Sequence, residues 1–186
     1  MGPGIWLALA AGIGIAAACG LRAFLPLLLL GLASRFGHLP LDPHVRWLAS
    51  DPALIALGAA TALEIAADKI PVVDHVLDAL GVAIRPAAAW LGAYAVLVQW
   101  PEPWGAIVAL ILGGGTLALH LVHAKLRLGS TVLTGGAANP VISVAEDLLT
   151  VLLVGLALLA PLVVLLLVGL WAFAVLRRRR RAATAA

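Results

Sequence analysis

"GLRAFLPLLLLGL", residues 20–32, sets an arginine and a proline inside an apolar run that extends from Ile5 to Ala33. One straight helix over that run would be about 43 Å long at 1.5 Å per residue. A bilayer core is only about 30 Å thick. Pro26 removes a helix hydrogen bond, and Gly20 loosens the turn before Arg22. The spacing predicts a break between Gly20 and Pro26, with Arg22 at the break.

The rest of the chain repeats this conflict between oil and charge. Of 186 residues, 63% are hydrophobic and 11% are charged, against roughly half apolar in a soluble domain. Mean hydropathy is +1.11. The surface calls for a bilayer as solvent. The expected fold is all-α: a polytopic membrane helix bundle of five to six spans with broken or re-entrant helices. A single membrane domain is expected over 1–176 and a basic cytoplasmic tail over 177–186. The N-terminal run has no basic flank and is too long for a signal peptide, so it reads as a retained segment.

The net charge of +3 misleads, because five of the twelve basic residues are the run Arg177–Arg181. The remainder is close to neutral, which argues against a nucleic-acid partner. Cys19, the one cysteine, allows no intrachain disulfide and reads as a small apolar filler.

Further spans are expected at Asp51–Ala67, Val82–Trp100, Trp104–His123 and Leu148–Leu176, the last kinked at Pro161. Arg85-Pro86 interrupts the start of the third. Gly129–Asp147 is neither fully apolar nor loop-like and reads as a re-entrant half-helix or a polar loop. Arg177–Arg181 places the C-terminus in the cytoplasm by the positive-inside rule. Five spans then put the N-terminus outside and the loop Ser34–Ser50 inside.

Three polar groups stand out. In "TALEIAADKIPVVDHVLDAL", residues 61–80, Glu64 and Asp68 share a helix face at i, i+4, with Lys69 beside them. Pro71 is expected to end that helix. Asp74 and Asp78 repeat the spacing on a shorter one, where a hydrated face accounts for them. His120 and His123 lie at i, i+3 on the fourth span. They read as a hydrogen-bonded pair between helices, a proton relay or two ligands of a metal ion. In "STVLTGGAANPVISVAEDLL", residues 130–149, Asn139 and Pro140 are cap and first-turn residues of a helix. Ser130, Thr131 and Thr134 offer hydroxyls there, and Gly135-Gly136 lets the backbone approach a ligand. A helix N-terminus in that setting suits an anion.

Each charge at mid-bilayer costs about 2.5–3.5 kcal/mol on insertion scales. Arg22, Glu64, Asp68, Lys69, Glu146 and Asp147, all deep and unpaired, would cost roughly 15–20 kcal/mol. They are therefore expected to meet in one hydrated centre.

"GLRAFLPLLLLGL", "EIAADKIPVVDHVLD" and "TGGAANPVISVAEDLL", in this order, resemble the bacterial integral-membrane family catalogued as domain of unknown function 4126. The resemblance covers nearly the whole chain. It implies a compact multi-span inner-membrane protein and brings no substrate. "LRAFLPLLLLGLA" is more weakly similar to the broken helices of DedA-type lipid carriers, whose acidic and Gly-Pro motifs are absent here.

The functional expectation is a small transporter or permease of the bacterial inner membrane. Arg22, Ser130, Thr134, Gly135, Gly136 and Asn139 would bind an anionic or lipid-phosphate substrate. Glu64, Asp68, Glu146 and Asp147 would carry protons. The alternatives are an intramembrane metal-dependent hydrolase with His120 and His123 as ligands, or a structural assembly subunit. No Walker loop, dinucleotide fingerprint or nucleophile motif is present, which weighs against an enzyme. The expected partners are the bilayer and the substrate. A homo-oligomer is compatible with the sequence. No cofactor is expected outside the metal alternative.

Overall fold

The structure, a computed structural model, describes residues 3–37, 39–67, 71–135, 139–164, 166, 170 and 177. Among the described residues, six α-helices have both ends defined: α1 (Pro3–Leu21), α2 (Phe24–Gly37), α3 (Asp51–Ala67), α4 (Pro71–Val96), α5 (Trp104–Thr134) and α6 (Asn139–Leu159), and the described residues from Pro161 on are helical again. A 3-10 helix, Pro43–Ala49, precedes α3. No strand occurs among the described residues, so the bundle is all-α. Four helices are long and apolar enough to cross a membrane: α1, α4, α5 and α6. The 3-10 helix and α3, bent by 66°, make a fifth if they count as one span.

The long N-terminal run breaks where its residues require. α1 stops at Leu21 and α2 starts at Phe24. Pro26 falls in the first turn of α2, where its missing N–H has no intrahelical partner to lose. Beyond the break the chain turns back. Gly4, at the start of α1, lines one cavity with Leu39 and Pro40, just past the end of α2. Both ends of the first run therefore lie at one face of the bundle. α1 is itself long and apolar enough to cross, but the run as a whole returns, so the loop Ser34–Ser50 lies on the face of the N-terminus and not opposite it as expected. The physical reason is Arg22. A guanidinium that finds its partners inside the bundle has no cause to travel on to the far interface.

α3 lies against α2 and is tied to it at both ends. Arg35 Nη2 meets Asp51 Oδ1 at 3.0 Å at the outer end, and Glu64 reaches the start of α2 at the inner end. Trp6, Trp47 and Trp104, each more than half exposed, sit at the end of the bundle where α1 and α5 begin, the placement expected of tryptophans at a membrane interface. Trp100 joins them by donating from its indole N–H to the Ile5 carbonyl at 3.2 Å.

Three further boundaries differ from the sequence expectation. The apolar stretch of the third span, Ala79–Val96, falls close to the expected one, but the helix that carries it starts earlier. α4 is continuous from Pro71 to Val96 and carries Pro86 inside it. Pro71 is its first residue, the position a proline tolerates best, so Asp74 and Asp78 belong to this helix and not to a separate short one. The apolar stretch of α5, Trp104–Lys125, matches the expected fourth span, and the helix runs on beyond it to Thr134, since nothing before Gly135 breaks it. Gly135 closes it in the left-handed region at φ 62°. The described residues of 129–147 divide between the last turns of α5, with Gly135 as its cap, and the first turns of α6. α6 starts at Asn139 and not at Leu148, and ends at Leu159, with Ala160 non-helical before Pro161.

Small residues let the helices close up. Ala16, Ala18 and Cys19 of α1 share a buried core with Ala88, Ala89 and Ala93 of α4. In the triple glycine of α5, a Cβ on Gly113 would stand 2.7 Å from the Pro86 carbonyl oxygen of α4, whereas Gly115 faces open space. Gly113→Ala is expected to cost about 1–3 kcal/mol through forced separation of the backbones. Gly115→Ala is expected to be neutral or stabilising by up to about 1 kcal/mol. Thermal unfolding of the two purified variants checks the pair, and equal melting temperatures would refute the close packing.

Candidate functional site

α2 begins without a capping side chain of its own, because Arg22 and Ala23 carry no acceptor. Glu64, buried on α3, supplies one. Its Oε1 accepts the Ala23 N–H at 2.9 Å and its Oε2 the Phe24 N–H at 3.3 Å. A carboxylate at a helix N-terminus also meets the positive end of the helix dipole. On the other side of the break, the last turn of α1 needs donors for its free carbonyls. Arg85 of α4 provides one, donating from Nη1 to the Gly20 carbonyl at 3.1 Å. An anion holds the start of α2 and a cation holds the end of α1.

Arg22 lies in the gap between them with 1% of its surface exposed. Its Nη2 donates to Ser143 Oγ at 2.8 Å and to the Ser143 carbonyl at 3.3 Å. Its Nε pairs with Asp147 Oδ1 at 2.7 Å, and Nη2 stands 3.9 Å from Glu146 Oε2. Ser143, Glu146 and Asp147 occupy about one turn of α6, so a single helical face presents all three. The other oxygen of Glu146 is in contact with His123 Nε2 of α5. Glu146 thus bridges a guanidinium and an imidazole. His120, one turn earlier on α5 and 1% exposed, takes different company. The Cε1 of His120 and the Nε of Arg85 both lie within 3.2 Å of the point where a Gly81 Cβ would stand.

Measured along the helices from the tryptophan end, the centre falls within the roughly 30 Å of a bilayer core. His120 is sixteen residues into α5, about 24 Å along its axis from the tryptophan face. Arg85 is eleven residues from the outer end of α4, about 17 Å. Unpaired charges there would cost several kcal/mol each, and the contacts above are what makes them tolerable. Among the described residues, the centre holds one more carboxylate (Glu64, Glu146, Asp147) than guanidinium (Arg22, Arg85). A single proton on the imidazole–carboxylate pair brings it to neutrality. Two buried hydroxyls flank it, Thr61 one turn before Glu64 and Thr150 one turn after Glu146. Neither has a hydrogen-bond partner among the described residues. Buried hydroxyls of that kind call for water.

Of the residues singled out from the sequence, Arg22, Glu146, Asp147 and His123 come together directly. Glu64 joins them at the backbone of the break. His120 shares the interior but stands beside Arg85, a poor setting for a second cation. Ser130, Thr134 and Gly135 do not join the centre. They lie some 10–18 Å further along α5 from His123. Thr134 is exposed, and its hydroxyl donates to the Ser130 carbonyl at 2.8 Å within the same helix. Asp68, Lys69 and Gly136, and the side chains of Asp74, Asp78, Arg127, Thr131 and Asn139, lie outside the described residues. The sequence reading missed Arg85 and Ser143. The signal for Arg85 was the one used for Arg22, a guanidinium inside an apolar run. Ser143 gave none.

Neither a curated protein nor a solved structure matches the chain. One family profile does, over residues 9–181, and it covers the broken helix and every group of the buried centre. The chain belongs to the family described as Domain of unknown function (DUF4126).

Proposed function

We propose that the protein is a small permease that couples proton movement to the passage of an anionic or lipid-phosphate substrate through the buried centre. The observation that carries this reading is the Arg22–Glu146–His123 chain at a helix break. Broken helices that meet inside a membrane are the usual way transporters build a midplane site. Proton transfer onto Glu146 from His123 weakens the hold of α6 on Arg22. The guanidinium is then available to an anionic group, with Ser143 beside it. Loss of the proton restores the ion pair and expels the anion. Ser130, Thr134, Gly135, Gly136 and Asn139 would serve the route between this centre and the α5–α6 turn. The metal-dependent hydrolase is the weaker reading, because His120 lies near the Arg85 side chain, whose positive charge disfavours a second cation there. The proposed location is the bacterial inner membrane, with Arg177–Arg181 on the cytoplasmic side.

The test is a pH jump on proteoliposomes adsorbed to a solid-supported membrane. Wild-type protein is expected to give a transient charge displacement. Glu146→Gln, which keeps the shape and removes the proton site, is expected to reduce it at least tenfold. Equal currents from the two proteins would sink the proton-coupled reading.

A further inference from the structure

A second polar cluster lies at the opposite depth, at the tryptophan face, and the proposed transport makes no use of it. Asp42 precedes the 3-10 helix, and its Oδ1 accepts the His44 N–H at 2.9 Å. The same oxygen lies 3.0 Å from His44 Nδ1. Asp42 is fixed to α4 as well, since its N–H donates to the Ala95 carbonyl at 3.0 Å. Glu102 arrives from the α4–α5 connection, nearly sixty residues later. The Tyr94 hydroxyl donates to Glu102 Oε1 at 2.7 Å and stands 3.4 Å from His44 Nδ1. Trp90 stacks on the Tyr94 ring, with centroids 5.9 Å apart and planes 6° from parallel.

We infer that Asp42, His44 and Glu102 form a surface site for a divalent cation of the zinc type. One ligand atom from each lies within 4.8 Å of the other two. Ligands about 2.0–2.1 Å from a tetrahedral ion stand roughly 3.3 Å from one another. The Asp42–His44 separation is already near that value, and small rotations of exposed side chains bring in the third. The donor set, one imidazole and two carboxylates, suits a borderline ion better than calcium or magnesium, which prefer oxygen alone. Three protein ligands leave a fourth position for water or a headgroup oxygen. Tyr94 acts behind the ligands. Its hydroxyl orients Glu102, and the Trp90 stack holds the ring, the kind of outer support that fixes ligating carboxylates. The charges agree with this reading. Asp42 and Glu102 converge from separate segments beside the His44 imidazole, and a divalent cation cancels the repulsion of two carboxylates.

Metal-stripped, tag-free full-length protein in detergent micelles tests the site with two probes. Zinc titrated in a calorimeter is expected to bind saturably at one equivalent per chain. Cobalt, a spectroscopic substitute, is expected to give the visible absorption of a tetrahedral ion and to quench tryptophan fluorescence through Trp90. His44→Ala and Glu102→Gln alter exposed side chains and leave the bundle intact, which their melting curves check. Each is expected to weaken binding at least tenfold. His123→Ala, in the buried centre, is expected to leave the affinity unchanged if the variant melts as wild type does. The inference is overturned if zinc does not saturate, or if the one-equivalent binding survives His44→Ala and Glu102→Gln. It is overturned too if His123→Ala abolishes binding in a folded protein. None of these outcomes depends on transport.

Discussion

Arg22→Ala is expected to destabilise the protein by about 3–5 kcal/mol, the cost of removing one partner from a buried ionic cluster. That is a large share of the 5–15 kcal/mol that holds a typical domain together. The size follows from what is left behind. Asp147 loses the guanidinium at 2.7 Å, Glu146 the one at 3.9 Å, and Ser143 the donor at 2.8 Å. All three sit on α6, whose tie to the α1–α2 break is then gone. Arg22→Lys keeps a charge but gives up the fork that reaches serine and both carboxylates, and it is expected to fall between alanine and wild type. Thermal unfolding followed by size-exclusion chromatography in detergent measures the series. If Arg22→Ala melted within a degree or two of wild type, the guanidinium would not be holding the break to α6.

The same stability series separates two accounts of the charges. If pairing alone matters, replacing Arg22 by Met and neutralising Glu146 and Asp147 together should recover much of the loss, since apolar replacement of a buried ion cluster is often tolerated. Recovery of stability with no recovery of the charge displacement would mean that the centre is kept for what it does and not for what it holds.

How far the sequence could be read depended on whether a residue's meaning was local. The break at Arg22 was legible because an over-long apolar run, a proline and a buried-range charge all fell within seven residues. Meeting of Arg22 with Glu146 and Asp147 was legible from energy, since distant charges in oil must find each other. The return of α2 to the starting face was not legible. Hydropathy reports that a segment is apolar, and α2, with 14 residues, is apolar without being long enough to cross. Pro71 was legible as a boundary, since α3 ends at Ala67 and α4 starts at Pro71, but the length of the helix it opens was not. Gly135, read as a place for a ligand to approach, is a left-handed cap at the end of α5. Arg85 was passed over because Pro86 beside it explained the interruption too easily. The Asp42–His44–Glu102 cluster left no trace, because its members are ordinary loop residues until the fold joins them.

Glu64→Gln is expected to abolish coupled transport while the protein remains folded and inserted. The wild-type carboxylate holds two amides with two equivalent oxygens and one negative charge. Glutamine keeps the length and one acceptor oxygen, but it points an NH2 group at the second amide and cancels the charge at the helix start. The loss is expected to be about 1–2 kcal/mol, near one charge-assisted hydrogen bond or one favourable charge–dipole contact. Glu64→Ala removes both acceptors and leaves two N–H groups of α2 without a cap, which at about 1–3 kcal/mol each is the larger stability loss. Glu64→Asp keeps the charge but falls one methylene short of the break, so it tests reach rather than ionisation. A protonated Glu64 would be a poor cap: its proton would point at an N–H that already carries one. In the proposed mechanism, a proton at this carboxyl would loosen the start of α2 next to Arg22, close to where Glu146 would loosen its hold on the guanidinium. Glutamine imitates the loosened state permanently. The pH-jump current of reconstituted Glu64→Gln should then be lost although its melting temperature falls only a few degrees. A full-sized current from that variant would reduce Glu64 to a structural cap and leave Glu146 and His123 as the proton carriers.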